Sequence, residues 1–142
     1  MSEDNKVLLR RFLSEVWNLG RLNLIDELVD PAYVSHVAHI PQVSDREGLK
    51  QWVSAVRTAF PDIRFTIEDL LADDEKTTHR WSSVASHQGE FLGVSGTGKK
   101  VVCRGMSITR FSGGRIVEEW GEWDALRLLE QIGAVPTASE GG

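Results

Sequence analysis

Between positions 118 and 124 the chain reads Glu118-Glu119-Trp120-Gly121-Glu122-Trp123-Asp124, four carboxylates and two indoles within seven residues. A carboxylate desolvated against an indole has its pKa raised, and a base so raised can abstract an acidic carbon-bound proton near neutral pH. In a strand, alternation sends Glu119, Gly121 and Trp123 to one face and Glu118, Trp120 and Glu122 to the other. The chemistry therefore depends on which face lines a pocket. Asp124 stands directly before Ala125-Leu126, where a helical pattern begins, and an N-cap accounts for it. The indoles offer rigid faces that suit a flat aromatic or polycyclic ligand and, equally, a core wall.

The four histidines are the other titratable groups suited to acid–base work near neutral pH. His87 ends a strand beside a glycine-rich loop, where it serves either as an acid–base partner or as a hydrogen-bonded structural residue. His36 and His39 follow Tyr33, but no cysteine or acid stands at a zinc-ligand spacing from them, so no metal site is expected. His79, beside Arg80, reads as solvated. The run Gly93-Val94-Ser95-Gly96-Thr97-Gly98-Lys99 imitates a phosphate loop. It lacks the following Ser or Thr and leads into the strand Val101-Val102-Cys103 rather than a helix, so it reads as a connection between antiparallel strands. Cys103 has no histidine adjacent in sequence and reads as a buried, inert thiol.

These residues must be positioned by a single domain: the chain has 142 residues and is 41% hydrophobic. A net charge of -5, with scattered Lys and Arg, argues against nucleic acid. One cysteine, an acidic start and no apolar run of the roughly 20 residues that span a bilayer predict a soluble cytoplasmic protein without membrane contact. Apolar residues at helical spacing predict a first helix over 5–18, stopped by Gly20, and a second over 23–29, stopped before Pro31. A third begins at the capping pattern Ser44-Asp45-Arg46-Glu47 and ends before Pro61. The period then changes to two, predicting strands at 63–71, 77–88, 101–111 and 115–123. A last helix carries Leu126, Leu129 and Ile132 and closes at Gly133. Helices followed by strands without βαβ alternation predict an α+β domain, its helices covering one side of a curved, mostly antiparallel sheet. The ligand pocket belongs inside that curve.

Three stretches carry a resemblance to a known family. They are His87-Gln88-Gly89-Glu90-Phe91-Leu92-Gly93 with Thr97-Gly98-Lys99-Lys100, then Phe111-Ser112-Gly113-Gly114-Arg115-Ile116-Val117, then Glu118 to Asp124. With Trp17-Asn18-Leu19-Gly20, Pro31-Ala32-Tyr33-Val34 and Phe60-Pro61-Asp62, they resemble the SnoaL-like polyketide cyclase and ester cyclase group of the nuclear-transport-factor-2-like superfamily. The resemblance implies a cone-shaped α+β barrel, one SnoaL-like domain over 1–135 and pairing into a homodimer, while the small and polar residues at 136–142 predict a flexible tail. We expect the exposed sheet face, with Ile108 and Ile116, to supply that second buried surface. It also implies an aldol ring closure run by a last-strand carboxylate and a nearby histidine, with no metal or organic cofactor. Carried over by position, the family's aspartate falls on Gly121, which has no side chain; its histidine falls on Glu119 and a polar residue of the preceding strand on Ser107.

Glu119 is then the only acid on the face that carries the family's aspartate. It is the first candidate for proton transfer, with His87 assisting; its other reading is an ion pair with Arg104 or a neighbouring lysine. Candidate ligand-binding residues are His36 and Tyr33 at the pocket rim, with Ser107, Trp123 and Met106. The expected partner is a small hydrophobic molecule. Two functional classes stay open: a cofactor-independent cyclase, isomerase or epoxide hydrolase, and a non-catalytic ligand-binding or dimerisation module.

Overall fold

The computed structural model describes residues 2–37 and 43–135; His39 and the tail at 136–142 lie outside them. Helix α1 (Ser2–Arg11) runs into a π-helical turn (Phe12–Asn18), and Gly20 at φ +73° ends the segment. A 3₁₀ turn (Leu22–Leu24) leads to the short α2 (Ile25–Leu28), β1 (Val29–Val37) and α3 (Arg46–Ala59). The chain closes with β2 (Arg64–Ala72), β3 (Lys76–Ser86), β4 (Lys100–Ser112), β5 (Arg115–Trp123) and α4 (Ala125–Gln131). The five strands form one sheet in the order β1-β5-β4-β3-β2, antiparallel except for the β1–β5 pair. The α+β class and the mostly antiparallel curved sheet agree with the sequence pattern.

Strand β1 is the element absent from that pattern. Pro31 reads as a helix stop, yet proline is tolerated in an edge strand because its missing N–H leaves no ladder bond broken. β1 lies at the edge, and its pairing with β5 shifts register between Val29 and Val34, where Pro31 sits. Tyr33 and Ser35 then alternate inward. The cap of α3 also differs: Asp45, not Ser44, accepts from the Gly48 N–H at 2.7 Å. Asp124 does cap α4, accepting from the Arg127 N–H at 3.1 Å. That helix buries Leu128, its C-cap Ile132 is buried too, and Leu126 is exposed, because packing selects a different stripe from the one its first apolar residue suggests.

One core gathers Leu9, Phe12, Leu13, Val16, Val29, Tyr33, Leu49 and Val53 against Phe111 and Ile116. A second joins Val56, Phe60, Ile63, Phe91, Val101, Leu128 and Ile132. Side-chain bonds tie the first helical segment to the sheet. Asn18 donates to the Phe65 carbonyl and accepts from the Phe65 N–H at 2.7 Å, while Asn5 donates to the Asp74 carbonyl at 3.2 Å. Ile116, expected on the outer face, is fully buried. A register shift between Arg110 and Phe111 pairs Phe111 with Ile116 and leaves Val117 as the extra residue, and a bulge of this kind reverses which side chains face the core. Ser112 and Arg115 are joined through Gly113 and Gly114 at φ +60° and +76°, the hairpin turn that needs two left-handed residues.

Candidate functional site

Between the helices and the concave face of the sheet lies a cavity of about 150 Å³. Its wall is largely aromatic and aliphatic; Trp17, Trp52, Trp81 and Trp123 all contribute. Trp81 reaches over Gly105, where any side chain would meet its ring at 2.6 Å, so the glycine is what lets the indole lie flat. The volume matches that of a cavity that encloses one benzene.

The sheet register sets two rows of residues across the concave face, and from them Ser35, Glu119, His79 and Ser107 bring polar groups to the cavity wall. The first crosses Thr77 on β3, Thr109 on β4, Glu119 on β5 and Ser35 on β1. The second, two residues along each strand, crosses His79, Ser107, Gly121 and Val37. Glu119 thus points inward, as alternation from Trp123 requires. The surface it keeps lines the cavity, and its carboxylate is enclosed by protein. Tyr33 Oη donates to Glu119 Oε1 at 2.7 Å, and Thr109 Oγ1 stands 3.4 Å from Oε2. Burial pushes the Glu119 pKa up, and the bonds from Tyr33 and Thr109 oppose the rise only in part. Tyr33 is pushed up as well, first by its own burial and then by the adjacent carboxylate, so its hydroxyl stays a donor. The ion pair with Arg104 does not form; the partners of Glu119 are neutral hydroxyls.

Ser107 and Trp123 line the cavity beside Glu119. At Gly121 a Cβ would stand 3.4 Å from Ser107 Oγ and from Val37 Cγ2, so the glycine leaves that part of the wall open. Three expected residues lie elsewhere. His87 is fully buried but outside the cavity wall: Nδ1 is 3.1 Å from Thr97 Oγ1 and its ring packs on Phe60 at 5.4 Å. The loop that follows returns its main chain to α3 through bonds from Gln88 and Gly89 to the Ala59 carbonyl, which fixes His87 behind Phe60. His36 sits on the outer face, with Nε2 2.8 Å from Glu118 Oε2 and its ring stacked on Trp120. Met106 is 54% exposed on the same outer face, because it alternates with the inward Ser107.

His79, expected in solvent, lies inside. It is 3% exposed, lines the cavity, and Nδ1 has no hydrogen-bond partner among the described residues. Burial pushes its pKa down to about 4. Its strand, Lys76–Ser86, carries Thr and Ser on both faces, so no apolar alternation announces which side is inside. Arg80, the next residue, bonds outward to Asp69 at 2.8 Å, and strand alternation sends His79 inward. Cys103 also lines the cavity, and burial pushes its thiol up to about 11, consistent with an inert residue. Among the described residues no group of three or more His, Cys, Asp or Glu is placed to hold a metal ion, and no helix is long and apolar enough to cross a membrane.

Residues 7–132 match the model of the SnoaL-like polyketide cyclase family. AclR of Streptomyces galilaeus, assigned as a hydroxylase, is 27% identical with a TM-score of 0.86, covering 97% of this chain and 86% of its own. A protein of Acidithiobacillus ferrooxidans assigned as a polyketide cyclase is 30% identical, TM-score 0.83, over 92% of this chain and 95% of that one. IdmH of Streptomyces antibioticus, also assigned as a polyketide cyclase, is 27% identical, TM-score 0.78, over 91% and 98%. No curated protein matches the chain.

Proposed function

Because the chain belongs to the SnoaL-like polyketide cyclase family, we propose that it catalyses cofactor-independent proton transfer on a small hydrophobic molecule, with Glu119 as the base. The observation that carries this is the Glu119 carboxylate itself, inside an apolar cavity and held by the Tyr33 hydroxyl at 2.7 Å. Desolvation raises its proton affinity, and the Tyr33 bond fixes its direction, the two requirements for a general base acting at carbon. Removing a proton next to a carbonyl gives an enolate, the common first step of aldol ring closure and of double-bond isomerisation. A single ring fits the enclosed volume, so a polycyclic molecule would place one ring there.

The test is deuterium uptake from heavy water into cyclohexanone, a ring-sized enolisable ketone, followed by NMR. Loss of a general base costs about 10²- to 10⁴-fold, so Glu119→Gln is expected to remove most of the protein-dependent exchange. A second reading, ligand binding without turnover, rests on Gly121, which gives the cavity no carboxylate where the family resemblance places one. Equal exchange by wild type and Glu119→Gln would favour it.

We further propose that the protein pairs through the outer face of the sheet. Val34, Val84, Val102, Met106 and Ile108 are exposed there, a set of apolar side chains that a monomer would leave in water.

A further inference from the structure

The Glu119–Tyr33 pair does not account for His79. Its ring is buried in the cavity wall with Nδ1 unpartnered, and a buried polar atom left unpaired is costly enough that a ligand or water at that spot is the usual reason for it. Ser107, directly opposite on β4, also lines the cavity, and next in that row is Gly121, whose missing side chain leaves Ser107 Oγ approachable. Glu119 stands on β5, two strand spacings or roughly 10 Å from β3, with both side chains on the same concave face. Among the described residues no Lys or Arg lines the cavity. An anion would meet the Glu119 carboxylate there with nothing to neutralise it.

Building on the Glu119 reading above, we propose that His79, with Ser107, binds the oxygen of an uncharged, enolisable carbonyl compound whose acidic C–H faces Glu119. The C–H bond breaks toward Glu119, which takes the proton. Its electron pair forms the enolate C=C bond while the carbonyl π pair moves onto oxygen, where the His79 N–H donates to it. Return of the proton from Glu119 to carbon reverses both movements, so no further reactant is consumed. An imidazole held neutral by burial supplies this donor without placing a cation beside the base.

The experiment compares two probes of the cavity's size: phenol, a stable enol, and toluene, which has the ring without the oxygen. Their dissociation constants are measured by NMR titration for wild type, His79→Phe and His79→Gln. Wild type is expected to prefer phenol. His79→Phe should weaken phenol about tenfold, the range of one neutral hydrogen bond, and leave toluene within about twofold. His79→Gln, which keeps a donor, should recover most of the phenol preference. A residue that only shapes the wall would instead move both probes together. That result, a wild type with no preference or no binding of either probe, or a glutamine variant that behaves like the phenylalanine one, overturns the proposal. The Glu119 reading fails separately, through unchanged deuterium exchange in Glu119→Gln while the phenol preference stands.

Discussion

Tyr33 and Glu119 meet at 2.7 Å although they stand 86 positions apart in the chain, on strands β1 and β5 that run parallel. The bond joins an edge strand interrupted by proline to the only acid on the cavity side of β5. Tyr33→Phe leaves a buried carboxylate short of one donor, and the loss of stability at neutral pH is expected to be about 1–3 kcal/mol by denaturant titration. The Tyr33 bond lowers the Glu119 pKa, so its removal should also move the acid limb of any pH–rate profile to higher pH.

Glu119 makes the stability of the fold depend on pH in an unusual direction for a carboxylate. Its folded pKa is raised above the unfolded value, so the folded state binds the proton more tightly. The stabilisation is fully present below the ordinary glutamate pKa and is lost as pH rises through the raised one. Glu119→Gln, which cannot ionise, should gain stability relative to wild type over that rise, and the two should differ by a constant amount at lower pH. Thermal melts across the acid range check this.

His79 acts with the opposite sign. Its folded pKa is depressed from 6.5 to about 4, so stability is present above the unfolded value and falls as pH drops between the two. The shift corresponds to roughly 3 kcal/mol, complete near pH 4. Comparing His79→Gln with wild type isolates it: the difference between them should change across that window and stay flat above it.

The sequence made these residues legible to different degrees. Glu119 could be placed because Trp123, Gly121 and Glu119 alternate cleanly and the register holds to that point. Ile116 could not, because the bulge at Val117 reverses the alternation and nothing in Phe111 to Val117 marks it. Tyr33 was named for the pocket, but its partner was invisible, since Pro31 concealed a strand that pairs in parallel with a segment far along the chain. His79 and His87 both lie away from where the sequence puts them, for a similar reason: their surroundings are set by cross-strand and loop contacts, not by neighbours in sequence.

Pairing through the outer face predicts a particle of twice 15.8 kDa at micromolar concentration in sedimentation. Met106 is 54% exposed on that face and does not line the cavity, so Met106→Lys should shift the equilibrium to monomer without altering phenol binding. A wild-type monomer at that concentration contradicts the pairing.

The central claim is that the buried carboxylate on β5 moves a proton to and from carbon. Deuterium exchange into cyclohexanone, measured side by side for wild type and Glu119→Gln, tests it most directly. The account predicts protein-dependent exchange in the wild type and a loss of about 10²- to 10⁴-fold in the variant; identical rates in the two proteins would contradict it.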